Sequence, residues 1–64
     1  MTKLNKLKGA RAEKGYSQGE MADKLGISRD SYNKKENGRS EFKLSEIIAI
    51  MDILDKGFED IFLE

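Results

Sequence analysis

The stretch that decides the fold is QGEMADKLGISRDSYNKKEN, residues Gln18 to Asn37. Its boundaries are written in local chemistry. Ser17 stands just before it and Glu20 three residues later. In that pattern the hydroxyl caps the helix N-terminus and the carboxylate returns to the N–H of the capping residue. A helix is expected through Met21, Ala22 and Leu25, and Gly26 stops it by taking a positive φ that other residues avoid. Ser28 caps the next helix, and Asp30 in its first turn complements the helix dipole. That helix runs to about Glu36, where Asn37-Gly38 signals a turn. Met21, Leu25, Ile27 and Tyr32 are spaced to point into one shared core, and Ala22 is small enough for the two helices to cross closely.

Outward from this pair the chain reads as helix. No stretch alternates apolar and polar at period two, and neither Val nor Pro occurs. Residues 3–14 predict a first helix with Leu4, Leu7, Ala10 and Arg11 along one face, ended at Gly15 in a left-handed conformation. Residues 39–43 form a loop anchored by Phe42. A fourth helix spans about Leu44 to Leu54. At ~100° per residue its apolar stripe comprises Leu44, Ile47, Ile48, Met51 and Leu54, with Ile50 at the border and Ile53 on the far side. Asp55-Lys56-Gly57 breaks it, and Phe58 to Leu63 make a short last helix. The expected fold class is all-α, one compact five-helix domain over residues 1–64.

Composition narrows the function. The chain has 64 residues, enough for one domain with a small core. It has no Cys and no His, so disulfides, thiolate metal sites and Ser-His or Cys-His catalytic sets are excluded. No metal, cofactor, small-molecule ligand or enzymatic chemistry is expected. The longest apolar run, Ile47 to Met51, is far short of the ~20 residues of a membrane span. Nothing behind the N-terminal lysines looks like a signal peptide. The expected location is therefore the cytoplasm. The net charge is zero, but residues 1–40 carry ten Lys/Arg against five Asp/Glu, and residues 41–64 two against seven. The halves are +5 and −5, which suits a basic face for an anionic partner, although a solvated surface of uneven charge gives the same numbers.

Two short helices joined by Leu25-Gly26-Ile27 have the geometry of a helix-turn-helix, over about residues 18–37. With its flanks the chain resembles the Cro/CI-type helix-turn-helix family of phage repressors and their bacterial relatives. The resemblance rests on Leu7 and Arg11, Ser17-Gln18, Met21-Ala22, Leu25-Gly26-Ile27-Ser28, Tyr32 and Glu36-Asn37-Gly38. It continues through Leu44, Ile47, Leu54 and Phe58-Glu59-Asp60-Ile61-Phe62, so that it covers roughly residues 4–62. It implies a lambda-repressor-like domain that binds double-stranded DNA, usually as a dimer on a pseudo-palindromic site, encoded by a bacterium or phage. The chain departs from the pattern at Lys35, where the family has an apolar residue, and in Arg39-Ser40-Glu41, where a proline is common.

On that resemblance Arg29, Asp30, Asn33 and Lys34 are the base-reading residues. Arg and Lys pair with guanine, Asn with adenine, and Asp accepts from cytosine; Asp30 equally suits a helix start or a restraint on Arg29. Ser17, Gln18, Ser28, Ser31, Asn37 and Arg39 are the phosphate contacts, at helix N-termini or in the loop after the reading helix, and Lys35, the departure in the last turn of that helix, is expected to reach a phosphate instead of the core. Ser28 is also an ordinary cap, and Asn37 is as much a turn residue. Arg11 and Glu36 form the family's internal ion pair, which holds the reading helix in place. Tyr16, Tyr32 and Phe42 belong to the core.

Two-fold dimers read half-sites about one helical turn apart, and in a chain this short the dimer surface falls on the acidic, apolar-rich end. Ile48, Ile53 and Leu63 are its candidates, and Phe62 packs between the fourth and fifth helices. The expected function is a small Cro-like transcriptional regulator. The alternative, kept open by the zero net charge, is an antirepressor or antitoxin that grips another protein with the same fold.

Overall fold

Two serine caps set the frame of the central helices in the computed structural model, which describes residues 4–63. Ser17 Oγ accepts the Glu20 N–H while Glu20 accepts the Ser17 N–H, so the capping box closes in both directions ahead of one helix. Ser28 Oγ accepts the Ser31 N–H ahead of the next. The described residues form five helices: α1 (Asn5–Glu13), α2 (Gln18–Leu25), α3 (Arg29–Glu36), α4 (Leu44–Leu54) and α5 (Phe58–Phe62). Gly15, Gly26 and Gly38 all take positive φ, so the three turns that separate α1, α2, α3 and the loop before α4 are glycine-dependent. The expected start of α1 at residue 3 lies outside the described residues, and Leu4 caps the helix instead.

The helices pack around one core of Leu7, Ala10, Met21, Ala22, Tyr32, Ile50, Leu54 and Ile61. α2 lies on α3; α1 packs on both α5 and α3; α4 joins α2 and α5. Tyr16, Leu25, Ile27 and Phe42 seal the edges. Phe42 meets Tyr32 and Phe62 edge-on, with centroids 5.9 and 5.8 Å apart, which ties the loop after α3 to α5.

The face that α4 turns inward differs from the expected stripe. Glu46, Ile50 and Leu54 are buried, while Leu44 and Ile48 are 73% and 59% exposed. The helix is rotated by roughly one residue's step, ~100°, from the expected stripe, so that Ile50, Met51, Ile53 and Leu54 pack inward. The cause is ionic. Lys35 and Glu46 are only 8% and 7% exposed, and the Lys35 Nζ donates to both carboxylate oxygens at 2.7 and 2.9 Å. Glu46 also accepts the Lys43 N–H at 2.8 Å, at the entry to α4. Seating this carboxylate against α3 brings Ile50 to the centre of the packed face.

Two expected roles change with it. Lys35, expected at a phosphate, here has its ammonium bonded to Glu46 inside the protein, 5.9 Å from the centre of the Phe42 ring. Ile53 is not an open dimer contact, because it is half-buried against the core, unlike Ile48 and the 51%-exposed Leu63.

Removing one partner of a buried pair leaves an uncompensated charge, whereas apolar replacement of both is neutral or stabilising. Glu46→Leu alone should therefore cost about 3 kcal/mol, at the low end for a pair so near the surface, and Lys35→Met with Glu46→Leu should regain most of it. Urea melts of the single and double variants measure the difference. Additive losses would mean that the two charges are not coupled.

Candidate nucleic-acid interface

The site is built on a buried carboxylate. Glu36, in the last turn of α3, has a fully buried side chain. Arg11 of α1 grips it with two parallel bonds, Nε to Oε2 at 3.0 Å and Nη2 to Oε1 at 3.1 Å. The third guanidinium nitrogen, Nη1, donates to the Tyr16 carbonyl at 2.7 Å, so the same side chain also closes the α1–α2 turn. Leu4 N–H donates to the Glu36 carbonyl at 3.0 Å, a second link from the start of α1 to the end of α3. The expected ion pair is present and is joined by a third group, because the Gln18 Nε2 donates to Glu36 Oε1 at 3.1 Å.

Burial by itself pushes the Glu36 carboxyl up. Hydrogen bonds from Arg11 first, and from Gln18, together with the Arg11 charge, overcome that push and hold it below the ordinary carboxylate value. Beside this pair the Tyr32 phenol is pushed far up, first by burial and then by the neighbouring carboxylate. Its hydroxyl has no hydrogen-bond partner, the one buried side-chain polar atom so left among the described residues.

Anchored at its C-terminal end, α3 shows a polar row outward. Arg29 and Asp30 are exposed in its first turn and Lys34 one turn on. Asp30 and Lys34 form an exposed i,i+4 pair at 3.3 Å, worth a few tenths of a kcal/mol and easily exchanged for another partner. The Arg29 stem passes over Gly19: a Cβ there would stand 3.8 Å from the Arg29 Cδ. Asn33 is half-buried and donates through Nδ2 to the Gln18 Oε1 at 3.0 Å.

Among the residues expected to touch phosphate, Ser17 and Ser28 are exposed at helix starts with their hydroxyls occupied as caps. Ser31 is half-buried in the first turn of α3. The Gln18 amide is spent on Glu36 and Asn33. Asn37 turns back to cap α3, its Nδ2 donating to the Asn33 carbonyl at 2.8 Å. Arg39 is exposed in the loop just after α3. Sequence reasoning missed Glu46 and the coupling of Gln18 to Asn33. A polar residue placed three after a helix start was a signal for the first; the second depends on how two helices cross.

A helix-turn-helix family model matches residues 7–61. The chain belongs to the helix-turn-helix family. Its type is the Cro/CI one that the sequence resembles. It is 47% identical over 49 residues to YonR, an SPbeta prophage-derived HTH-type transcriptional regulator of Bacillus subtilis, covering 77% of this chain and 45% of that protein. It is 45% identical over 53 residues to the Bacillus subtilis HTH-type transcriptional regulator YqaE, covering 83% of this chain and 46% of that one. The chain thus spans a little under half the length of these relatives. The fold is also similar to the crystal structure of C.AhdI, a restriction-modification controller protein of Aeromonas hydrophila. The TM-score is 0.77 at 28% identity, over 91% of this chain and 88% of that one. The clp gene regulator ClgR of Corynebacterium glutamicum superposes with TM-score 0.77 at 25% identity, over 86% and 58% of the two chains. Among the described residues no helix is long and apolar enough to cross a membrane.

The helix-turn-helix geometry therefore hangs on an ion pair with a sign in its pH dependence. The Glu36 value is lowered in the folded state, so its stabilisation is full above the ordinary carboxylate range and is lost as pH falls through the lowered value. Arg11→Met, which strands the carboxylate, should cost about 3–5 kcal/mol at neutral pH, and this loss should shrink as the pH falls and Glu36 protonates. Denaturant melts between neutral pH and about pH 3 test both the size and the slope. A loss independent of pH would detach Glu36 from the effect.

Proposed function

We propose that this chain is a sequence-specific DNA-binding transcriptional regulator, with α3 in the major groove and α2 across the backbone. Residues 1–64 act as one DNA-binding domain with its helix-turn-helix over about residues 18–37. The reading rests on one observation: α3 is fixed from behind by Glu36 and Lys35 while Arg29, Asp30 and Lys34 are left outward. Family membership and relatives that are transcriptional regulators support it. In this reading Arg29 faces guanine O6 and N7, and Lys34 either joins the base readout or releases Asp30 to meet a phosphate. Ser17, Ser28 and Arg39 border the backbone. The protein would work in a bacterial cytoplasm, on the nucleoid; one relative is prophage-derived.

We further propose that it binds as a homodimer on a two-fold site, because one α3 spans too few base pairs to specify a location. Of the four exposed large apolar residues among the described ones, Leu44, Ile48, Phe58 and Leu63, we assign that contact to Leu44 and Ile48, one turn apart on α4, and to Leu63. An interface among acidic neighbours should tighten as salt screens their repulsion.

Arg29→Ala should relax one base-pair position by about 1–3 kcal/mol and leave the others intact. Lys34→Ala should reduce the dependence of log K on log salt by about one unit if Lys34 neutralises a phosphate, whereas Lys35→Met should leave that slope unaltered. Binding titrations against duplexes at several salt concentrations read both. A chain whose affinity for random duplex ignores salt would favour the protein-interaction reading instead.

Ile48→Asp should weaken cooperative occupation of a two-half-site duplex while binding to a single half-site stays unchanged. Sedimentation with and without DNA measures it. Equal cooperativity in the variant would remove Ile48 from the dimer contact.

A further inference from the structure

Gln18 connects the buried charge to the outward side of α3. A carboxamide is asymmetric: its nitrogen only donates and its oxygen only accepts. Glu36, held as a carboxylate by Arg11, only accepts. The Gln18 Nε2 must therefore face Glu36, where it lies at 3.1 Å, and the Oε1 must face away. That oxygen accepts the Asn33 Nδ2 at 3.0 Å, so a second amide inherits a direction from the first. The Asn33 Oδ1 has no partner among the described residues, and it is not buried. Turning Asn33 over would set its oxygen against the Gln18 oxygen. Turning both over would set the Gln18 oxygen against the Glu36 carboxylate. Either reversal exchanges a hydrogen bond for a repulsive contact.

We propose that Asn33 is a specificity-determining residue for adenine, its amide held in the reading orientation by Gln18 and Glu36. The inference rests on α3 being the DNA-reading helix. Adenine offers the major groove an N6 donor beside an N7 acceptor, which match a carbonyl and an N–H side by side. Guanine offers only the acceptors N7 and O6 and requires two donors. An asparagine free to turn tolerates both edges by changing the end it presents. With its oxygen kept outward, Asn33 excludes guanine. Gln18 touches no base in this arrangement; it is a positioning residue.

Site selection from a random duplex pool tests this with the unaltered chain, Asn33→Ala, Gln18→Leu and Arg29→Ala, each variant checked for folding by thermal melting. Asn33→Ala should relax one position that is A·T in the selected site, where adenine is favoured over guanine by about tenfold or more. Gln18→Leu should lower that preference to about threefold or less while the position governed by Arg29 keeps its preference. A purely structural loss would weaken all positions together. Should Gln18→Leu melt below the assay temperature, Gln18→Met, which keeps the length of the side chain, gives the same readout. The inference is overturned by a G·C pair at the Asn33 position, by an Asn33→Ala variant that relaxes no position, or by a Gln18 variant that keeps the adenine preference or loses all preferences alike. Unaltered protein that enriches no sequence overturns the DNA reading itself, and this inference with it.

Discussion

A carboxylate with no access to water sets the terms for the rest of this structure. Glu36 can stay charged inside a 64-residue protein only because Arg11 meets it with two bonds and Gln18 with a third. The stakes exceed those of any single cap. Losing a helix cap costs about 1 kcal/mol, whereas stranding a buried charge costs about 3–5. Such a group has one acceptable surrounding, so α1, the α1–α2 turn, α2 and α3 are placed relative to one another by its needs. A mostly aliphatic core of eight side chains is adaptable; a bidentate ion pair is not.

Lys35 extends the same principle to the next element. Adjacent residues at the end of α3 are bound in different directions, Glu36 to α1 and Lys35 to α4. The reading helix is thereby fixed against rotation about its own axis as well as against sliding. Neither tie needs to add net stability, since burying two charges costs nearly what their attraction returns. Their contribution is orientation, which the proposed reading of base edges by this helix requires.

The sequence was most legible where the chemistry is local. Ser17 with Glu20, Ser28, Gly15, Gly26 and Asn37-Gly38 marked helix ends to within a residue, because caps and left-handed turns depend on neighbours a few positions away. Arg11 and Glu36 were legible through the family resemblance, though 25 residues apart. The rotation of α4 was not. Apolar periodicity treats Glu46 as a surface residue, and only the arrival of Lys35 from 11 residues upstream reverses that. The Glu46 partner of Lys35 was hidden for the same reason: a lysine at the end of α3 suggests a phosphate until that carboxylate is seen. The Gln18–Asn33 contact lies beyond pattern reading altogether, since both residues look like free polar groups on their own helices.

The packing order has a mechanical corollary. The first and last helices rest on each other, and the first also carries Arg11. Ile61 of α5 is buried in the same core as Leu7 and Ala10, so α5 forms the floor beneath the helix that holds the Glu36 clamp. The short helix α5, distant in sequence from α3, thus sits in series with the outward face of α3. Whatever loosens α5 slackens α1, and through α1 the orientation of α3.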